Sequence, residues 1–365
     1  MRILIYSPSN LRAVDQQSQA ELLLKSGHEV YLLTWTAKGP LHENFEKLGA
    51  KAFSAGGVKG RSVFFFFNQC RFLIRFCRKN KIDFIFSHLQ SNAVVSGLAK
   101  YFIKARCFYF RHNSDYVELM PSRKNKLLNI WANKLSPFIV AISGKVREQL
   151  IKEGVPPKKI IRINYCYNFS QYRQNSTNSA PAIREKYSAS LLLLTVARLD
   201  LLKRHTMAFD VVKQLAAQAV DCKLISIGEG SMREELQQWI EKNQMKDRIF
   251  LEKFAANTID YFEACDMLIH LSYSEASSHV VKEAGMCKRT VVACKDVGDF
   301  DDYLQQGLNA FVVDKEKPVA EAVQLLAANF KNKDMLQKMG EALHDRVVST
   351  FSIEAVEKDY QKLLN

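Results

Sequence analysis

The sequence predicts an α/β protein with two doubly wound domains, each built on an open parallel sheet. Short apolar runs alternate with helical patterns almost from end to end, and one polar, turn-rich segment interrupts this alternation near the middle. The length of 365 residues, with 47% hydrophobic and 25% charged residues, suits two soluble domains with separate cores. This composition excludes collagen-like, low-complexity and disordered classes.

The first domain is predicted over residues 1–173. Apolar runs bounded by polar residues indicate its strands, at residues 3–6, 30–34, 84–87, 107–111, 138–142 and 160–163. Helices are expected over residues 16–26 and 144–153, since their apolar patterns end at Gly27 and Gly154.

Residues 174–184 are predicted to be the linker, because this stretch is rich in Asn, Ser and Pro and lacks periodicity. A second domain follows over residues 185–348. Its strands are expected at residues 191–196, 223–227, 249–251, 267–271, 290–293 and 311–313.

The eight cysteines are scattered and contain no Cys-x-x-Cys pair, which disfavours a disulfide framework and a zinc site. We therefore expect a cytoplasmic location. The amino terminus lacks the pattern of a signal peptide. The longest apolar stretch, residues 63–76, is interrupted by Arg71 and Arg75, so no membrane-spanning helix is expected.

The formal net charge of +14 is concentrated in the first half of the chain. Residues 1–180 contain 28 basic and 10 acidic side chains, whereas residues 181–365 contain 24 and 28. A basic first domain is typical of a protein that binds a polyanion or an anionic surface.

One segment of this basic half, residues 63–79, places Phe and Leu between Arg71, Arg75, Arg78 and Lys79 at helical spacing. This pattern is typical of an amphipathic helix on an anionic membrane surface at the inner face of the membrane. The alternative is an ordinary helix with Phe in the core and solvated arginines. Nucleic acid is not expected as a partner, because no nucleic-acid-binding motif accompanies the charge.

Chemistry is expected where strands end, since doubly wound sheets bind ligands there. Arg198 follows a strand and Lys203 lies in the next loop, so two cations can converge on a diphosphate leaving group without a metal. Gly228 and Gly230 form a Gly-x-Gly turn after the next strand, where a nucleotide could approach the backbone. Both features also suit ordinary loops.

The most specific pattern is Glu275 with Glu283 eight residues later. Glu275 falls in the turn after a buried strand, and Glu283 lies inside the helix that begins between them. Backbone N–H groups of residues 277–279 are expected to point into the site from the start of that helix.

A strand-end Arg with Lys five residues later, a Gly-x-Gly turn and Glu-x7-Glu, in this order, resemble the donor-binding half of family 4 glycosyltransferases of the GT-B fold. A weaker resemblance covers the first half through its first strand, Gly27-His28 and His112. Residues 349–365 are similar to the last helix of that family, which crosses back to the first domain. The resemblance implies two Rossmann-like domains facing a cleft.

The resemblance also implies residue roles. Arg198 and Lys203 would hold the diphosphate of a nucleotide-sugar, Glu283 would bind the ribose, and Glu275 would stabilise an oxocarbenium-like transition state. His112 would reach the donor sugar from the acceptor domain. Further donor contacts are implied for Gly228, Gly230, Phe254, Ser277, Ser278, His279 and Val280.

The sequence departs from the family pattern in several turns. The turn after the first strand contains no glycine, Ala276 and Ser277 stand where Gly-Phe is usual, and Asn164–Asn168 replaces Pro-Asn-Gly-x-Asp. These departures leave the donor sugar and the acceptor undetermined.

Two rival patterns point toward a metal. Asp299-Phe-Asp301-Asp302 matches an Asp-x-Asp cation motif, but its place at a helix start favours solvated helix-cap acids. His270 on an apolar strand is predicted to be a satisfied core histidine. We therefore predict neither a metal nor another cofactor.

The sequence thus predicts a retaining glycosyltransferase that moves a hexose from a nucleotide-sugar, expected to be a UDP-sugar. The expected acceptor is lipid-linked or a surface polysaccharide or lipopolysaccharide, met at the membrane. The alternatives are a nucleotide-sugar epimerase of the same two-domain fold and a non-catalytic, membrane-associated module.

Overall fold

The computed structural model describes residues 1–56, 63–114, 119, 122–170, 176–253 and 257–365. Contacts divide the chain into unit 1, Met1–Tyr167 with Phe351–Asn365, and unit 2, Asn168–Thr350. Among the described residues, no helix is both long and apolar enough to cross a membrane.

Unit 1 is built on a parallel sheet of seven strands in the order β3-β2-β1-β4-β5-β6-β7. The strands are Arg2–Ser7 (β1), Glu29–Thr34 (β2), Lys51–Ser54 (β3), Phe84–His88 (β4), Arg106–Arg111 (β5), Phe138–Ala141 (β6) and Ile160–Arg162 (β7). The helices between them are Val14–Lys25 (α1), Pro40–Lys47 (α2), Val63–Asn80 (α3), Gln90–Ala99 (α4), Arg123–Leu135 (α5) and Gly144–Lys152 (α6), with a 3-10 turn at Pro157–Lys159.

Unit 2 contains a six-stranded parallel sheet in the order β10-β9-β8-β11-β12-β13. Its strands are Leu191–Val196 (β8), Cys222–Ile227 (β9), Ile249–Glu252 (β10), Met267–His270 (β11), Thr290–Cys294 (β12) and Phe311–Val313 (β13). Its helices are Ala180–Lys186 (α7), His205–Ala217 (α8), Arg233–Lys242 (α9), Thr258–Ala264 (α10), His279–Met286 (α11), Phe300–Tyr303 (α12), Pro318–Asn329 (α13) and Lys333–Phe351 (α14), with a 3-10 turn at Leu201–Lys203.

The central strands of both sheets are fully buried, as expected of parallel sheets covered on both faces. Every residue of β8 is buried, and so are all residues of β1 after Arg2. The predicted helix ends are confirmed, because Gly27 (φ 78°) and Gly154 (φ 81°) take the left-handed conformation that ends a helix.

The predicted strands agree with the observed ones except for β3, which the sequence analysis missed. Only Ala52 and Phe53 in Lys51–Ser54 are apolar, so this edge strand lacks the apolar run that identifies the others. Among the described strands it pairs only with β2, from Tyr31 opposite Lys51 to Thr34 opposite Ser54.

Within the predicted linker over residues 174–184, the described part from Ser176 onwards is hydrogen-bonded to unit 2. Ser176 Oγ donates to Asp260 Oδ1 at 2.7 Å, and the backbone N–H of Thr177 donates to the same buried carboxylate. Helix α7 follows from Ala180. The polar composition of this stretch therefore serves a buried acid of unit 2, and the two units divide earlier, after Tyr167.

The last helix, Ile353–Leu364 (α15), packs on the unit 1 core. Tyr360 and Leu363 are buried in the cluster that contains the apolar side chains of α1 and α2. Gln19 Nε2 donates to the Tyr360 hydroxyl at 3.2 Å. The chain thus returns to unit 1 at its end.

Candidate active site

The candidate site lies at the carboxyl-terminal edge of the unit 2 sheet. β8 has β9 on one side and β11 on the other, so the chain connections leave this point in opposite directions. Doubly wound sheets bind ligands at such a switch point. The loops after β8 and β11 supply its side chains.

Three side chains meet there. Lys203 Nζ lies 2.5 Å from Glu275 Oε1, and His270 Nε2 donates to the same oxygen at 2.8 Å. The side-chain exposures are 15% for Lys203, 11% for Glu275 and 4% for His270. The result is a nearly buried carboxylate held by the Lys203 ammonium and by a hydrogen bond from the His270 imidazole.

The local sequence positions Lys203 against the second loop. Asp200 Oδ1 accepts a hydrogen bond from the Lys203 backbone N–H at 3.2 Å and so caps the 3-10 turn. The carbonyl oxygen of Leu202 accepts from the Tyr273 backbone N–H at 2.8 Å and from Ser272 Oγ at 3.2 Å. The loops after β8 and β11 are therefore tied together.

These contacts keep Glu275 ionised. Burial alone would raise the pKa of its carboxyl, but the charge of Lys203 and the hydrogen bond from His270 hold that pKa well below its usual range. An ionised carboxylate in a largely dry site interacts strongly with developing positive charge.

Arg198 lies in the loop after β8, as predicted, but its guanidinium is 72% exposed and pairs with Asp200 Oδ2 at 3.1 Å. Its backbone carbonyl accepts from His205 Nε2 at 3.1 Å. Burial lowers the pKa of His205 to about 4, so this histidine is a neutral support of the loop. The role of Arg198 toward a diphosphate stays a prediction.

The Gly-x-Gly turn has a structural reason within unit 2. A Cβ at Gly228 would lie 1.9 Å from the carbonyl oxygen of Ala197, and one at Gly230 would lie 2.3 Å from that of Leu199. Only glycine permits this approach of the turn to the Arg198 loop. The predicted contact with a nucleotide at these glycines is a separate matter and stays a prediction.

The interpretation of Asp299 as a solvated helix-cap acid is wrong. Asp299 is fully buried, and its Oδ2 lies 2.6 Å from Lys282 Nζ, which is also fully buried. Burial lowers the pKa of Lys282, and Asp299 opposes that shift. Asp299 is therefore an ion-pair partner at the start of a helix. The sequence pattern alone did not distinguish this role from that of a solvated helix cap.

Ser277 and Ser278 belong to this buried pair. Ser277 Oγ donates to Asp299 Oδ2 at 2.6 Å and accepts from Lys282 Nζ at 2.9 Å. The Ser278 N–H points to Asp299 Oδ1 at 3.4 Å, and its carbonyl accepts from Lys282 at 3.0 Å. The predicted presentation of the Ser278 N–H to a ligand must therefore be corrected, because that group faces Asp299.

His279, Val280 and Glu283 lie on α11, which follows this turn, and all three are partly exposed. Burial and the charge of Lys282 lower the pKa of His279 to about 4, so His279 is neutral near pH 7. Glu283 lies one helical turn beyond His279. Their donor-binding roles stay predictions, and Phe254 lies outside the described residues.

His112 belongs to unit 1, in a chain of hydrogen bonds at the edge where β4 and β5 end. Gln19 Oε1 accepts from His88 Nε2 at 3.0 Å, which leaves His88 Nδ1 as the acceptor for His112 Nε2 at 2.8 Å. His112 Nδ1 is also hydrogen-bonded to the Tyr165 hydroxyl. Burial lowers the pKa of His88 well below its usual value, so the His88 imidazole is neutral.

Asp15 lies beside these histidines, with its Oδ2 3.8 Å from His112 Nδ1. Burial raises its pKa to about 6. The ligand atoms of Asp15, His88 and His112 lie within 4.8 Å of one another, so they are a group that could hold a metal. The two imidazole nitrogens already share a hydrogen bond, which satisfies them without an ion, and the predicted absence of a metal stays a prediction.

The predicted helix with Arg71, Arg75, Arg78 and Lys79 is confirmed as α3. All four side chains are exposed, yet the Arg78 guanidinium donates to the carbonyl of Phe102 at 2.8 Å. Two aromatic side chains of the helix, Phe65 and Phe76, are core residues, whereas others on the same helix face solvent. The core packing expected of an ordinary helix is thus present, and the membrane-surface role of this helix stays a prediction.

Sequence reasoning missed three polar side chains that organise the site. His270 was assigned to the core without its link to Glu275, and the Lys282–Asp299 pair was not foreseen. A signal was present for His270, which is a polar end to an apolar strand, whereas the spacing of Lys282 and Asp299 gave none.

Two units with parallel sheets of seven and six strands, and a buried ionised carboxylate at one strand edge, define the class of GT-B proteins. Residues 177–346 match the family model "Glycosyl transferases group 1", and residues 17–168 match "Glycosyltransferase Family 4". The chain belongs to the GT-B glycosyltransferases, as the resemblance in its sequence implied.

Solved structures agree with this fold. Anabaena Alr3699/HepE in complex with UDP superposes with a TM-score of 0.82 at 17% identity, covering 100% of this chain and 99% of that one. The apo form of the lipopolysaccharide outer core galactosyltransferase WaaB has a TM-score of 0.76 at 14% identity, covering 99% and 98%. At these identities the similarity shows the fold alone.

Curated relatives align over part of their length. One is the Campylobacter jejuni N-acetylgalactosamine-N,N'-diacetylbacillosaminyl-diphospho-undecaprenol 4-alpha-N-acetylgalactosaminyltransferase, 25% identical over 61% of this chain. Another is the Staphylococcus aureus poly(ribitol-phosphate) alpha-N-acetylglucosaminyltransferase, 20% identical over 47% of this chain. The alignments span 60% and 34% of these two relatives.

Proposed function

We propose that this chain is a retaining, metal-independent glycosyltransferase that moves a hexose from a UDP-sugar to a lipid-linked or polysaccharide acceptor. The observation that carries the proposal is the ionised Glu275, held by Lys203 and His270 where β8 and β11 end. The match of residues 177–346 to the group 1 glycosyltransferase model supports the assignment of this edge to the donor side.

The chemistry of transfer suits these groups. Breaking the bond between sugar and diphosphate leaves positive charge on the sugar ring and negative charge on the leaving group. Glu275 would stabilise the positive charge. The Lys203 ammonium has three donors, so it can keep its contact with Glu275 and still hold an oxygen of the diphosphate.

His270 would keep the Glu275 carboxylate in place while Lys203 engages the leaving group. The hydrogen bond from His270 favours the charged form of Glu275, so the negative charge facing the sugar is retained. His270 acts through Glu275 and is therefore a positioning residue.

The donor and acceptor classes rest on relatives. HepE was solved with UDP and with UDP-glucose, and the C. jejuni relative is named for a diphospho-undecaprenol substrate. The basic first half of the chain, with 28 basic and 10 acidic residues up to residue 180, suits an anionic acceptor or membrane surface. We therefore place the protein at a membrane as a peripheral enzyme.

The test is UDP release from UDP-glucose, UDP-galactose and UDP-N-acetylglucosamine, with GDP-mannose as a fourth donor. We expect one UDP-sugar to be turned over in EDTA, and Glu275→Gln to lose about 100-fold to 1000-fold. Glu234→Gln is the matched control, because Glu234 is exposed on α9. Mass spectrometry separates transfer or hydrolysis from epimerisation, and an epimerised donor without UDP release would contradict the proposal.

A further inference from the structure

One face of unit 1 contains three neighbouring helices, α3, α4 and α5, without a single Asp or Glu. α3 and α4 share one core, in which Leu73 lies with Val95. α4 and α5 pack closely, since a Cβ at Gly97 would lie 2.7 Å from Leu135 Cβ. We call the exposed side of these helices, with residues 100–102, the basic face.

The basic face exposes large apolar side chains on all of its segments. The most exposed on each are Phe64 at 72% on α3, Tyr101 at 71% in the turn after α4, and Leu127 at 58% on α5. The others are Phe67, Phe72, Leu98, Phe102, Ile130 and Trp131. Clusters of exposed aromatic and aliphatic groups of this kind mark interaction surfaces.

Basic side chains lie among these apolar groups. The guanidinium of Arg71 lies 5.9 Å from the ring centre of Phe67, and the ammonium of Lys134 lies 5.7 Å from that of Trp131. Further exposed basic residues are Arg75 and Lys79 on α3 and Arg123, Lys124 and Lys126 on α5. Cations beside rings are suited to the boundary between lipid headgroups and acyl chains.

Two basic side chains hold the face together instead of extending from it. Arg78 donates to the carbonyl of Phe102 at 2.8 Å and so joins the end of α3 to the turn after α4. Lys100 donates to the carbonyl of Leu135 at 2.7 Å and joins the same turn to the end of α5. The apolar groups of α3 and α5 are thus fixed relative to each other.

We propose that the basic face is a docking surface for an anionic lipid bilayer, with α5 as a second contact element beside α3. The sequence pattern had suggested only α3, whereas Leu127, Ile130 and Trp131 extend the surface across α4. A polyanion such as nucleic acid would match the charge, but it would leave these apolar groups unburied. The proposal rests on the proposed function, because a lipid-linked acceptor would be met at a membrane.

Sedimentation of the full chain with vesicles tests this surface. We expect binding to phosphatidylcholine vesicles containing about one-third phosphatidylglycerol, and little binding to phosphatidylcholine alone. Leu127→Glu with Trp131→Glu should weaken binding roughly tenfold or more. Leu308→Glu is the matched control, because Leu308 is 58% exposed in unit 2.

Tryptophan fluorescence provides a second readout. Of the three tryptophans, Trp35 is buried, Trp239 is half-buried and Trp131 is 50% exposed. We expect a blue shift of the emission on anionic vesicles. Trp131→Phe should abolish this shift and still sediment with the vesicles, since Phe keeps an aromatic group at the surface.

Unchanged vesicle binding of the Leu127→Glu, Trp131→Glu variant would overturn the proposal, and so would an unshifted emission. Binding of a nucleic-acid duplex that is lost in Arg75→Glu but kept in the double variant would assign the face to a polyanion instead. UDP release by the wild-type chain, measured without vesicles, separates the two proposals. Release without vesicle binding overturns only the docking surface, and vesicle binding without release overturns only the transferase.

Discussion

Each unit has a polar cluster at the carboxyl-terminal edge of its sheet, but the charges in the two clusters are stabilised differently. In unit 2, Glu275 is ionised beside Lys203, and a second ion pair, Lys282 with Asp299, is fully buried. In unit 1, burial lowers the pKa of His88, which is hydrogen-bonded to His112, and burial raises the pKa of Asp15 to about 6.

This difference shows that the fold determines where a site lies but not which chemistry the site performs. Fixed charges suit a site where a bond breaks into two ions. Neutral hydrogen-bond partners suit the recognition or deprotonation of a hydroxyl group. The contrast agrees with a donor side in unit 2 and an acceptor side in unit 1, and it can be tested residue by residue.

The largest effect is expected from breaking the buried pair in unit 2. Lys282→Met would leave Asp299 charged and uncompensated, which lowers the free energy of unfolding by about 3 to 5 kcal/mol. Denaturant unfolding monitored by circular dichroism measures this change. Lys338→Met, at an exposed site on α14, should leave stability unchanged. Adding Asp299→Asn to Lys282→Met should recover part of the loss, and no recovery would contradict a charge-based cause.

A substitution of Asp15 tests whether the unit 1 cluster contains a positive charge that stabilises a carboxylate. Its folded-state pKa of about 6 lies above the usual value of 3.8 for this carboxyl, so the folded state binds the proton more tightly and stability falls as the pH rises from about 4 to about 6. Asp15→Asn should therefore stabilise the protein above pH 6, by up to about 3 kcal/mol, and change little at pH 4.

The test is to measure the melting temperatures of wild type and Asp15→Asn across this pH range. A variant that is less stable than wild type at pH 7 would mean that the ionised Asp15 is stabilised by a positive partner, such as a protonated His112. The unit 1 cluster would then contain an ion pair, as unit 2 does, and the contrast between the units would be contradicted.

His270 gives the smallest of these effects. His270→Leu removes a donor from Glu275, so we expect a loss of donor turnover of about tenfold and a higher carboxyl pKa. The acid limb of the pH profile should move to higher pH, which a merely structural role would not produce. His270→Gln keeps a donor near the position of Nε2 and should restore the limb. Equal pH profiles for His270→Leu and His270→Gln would contradict a role for His270 in positioning Glu275.

The sequence was sufficient for most of the fold because buried parallel strands are apolar runs. Leu191–Leu194 in β8 is such a run, whereas the edge strand β3 has only Ala52 and Phe53 and was missed. Site residues could be predicted where their type and spacing in the sequence indicate them, as for Lys203 and Glu275. Long-range pairings were not, because nothing in the spacing of Lys282 and Asp299 shows that both are buried.

The measurement that most directly tests the central claim is the titration of UDP into the protein by calorimetry, with wild type, Lys203→Met and Lys338→Met compared. The account predicts that wild type and Lys338→Met bind UDP equally. Lys203→Met should bind about 10-fold to 100-fold more weakly, because a charged donor to the diphosphate is lost. No binding by the wild type, or equal binding by Lys203→Met, would contradict a donor site built on Lys203 and Glu275.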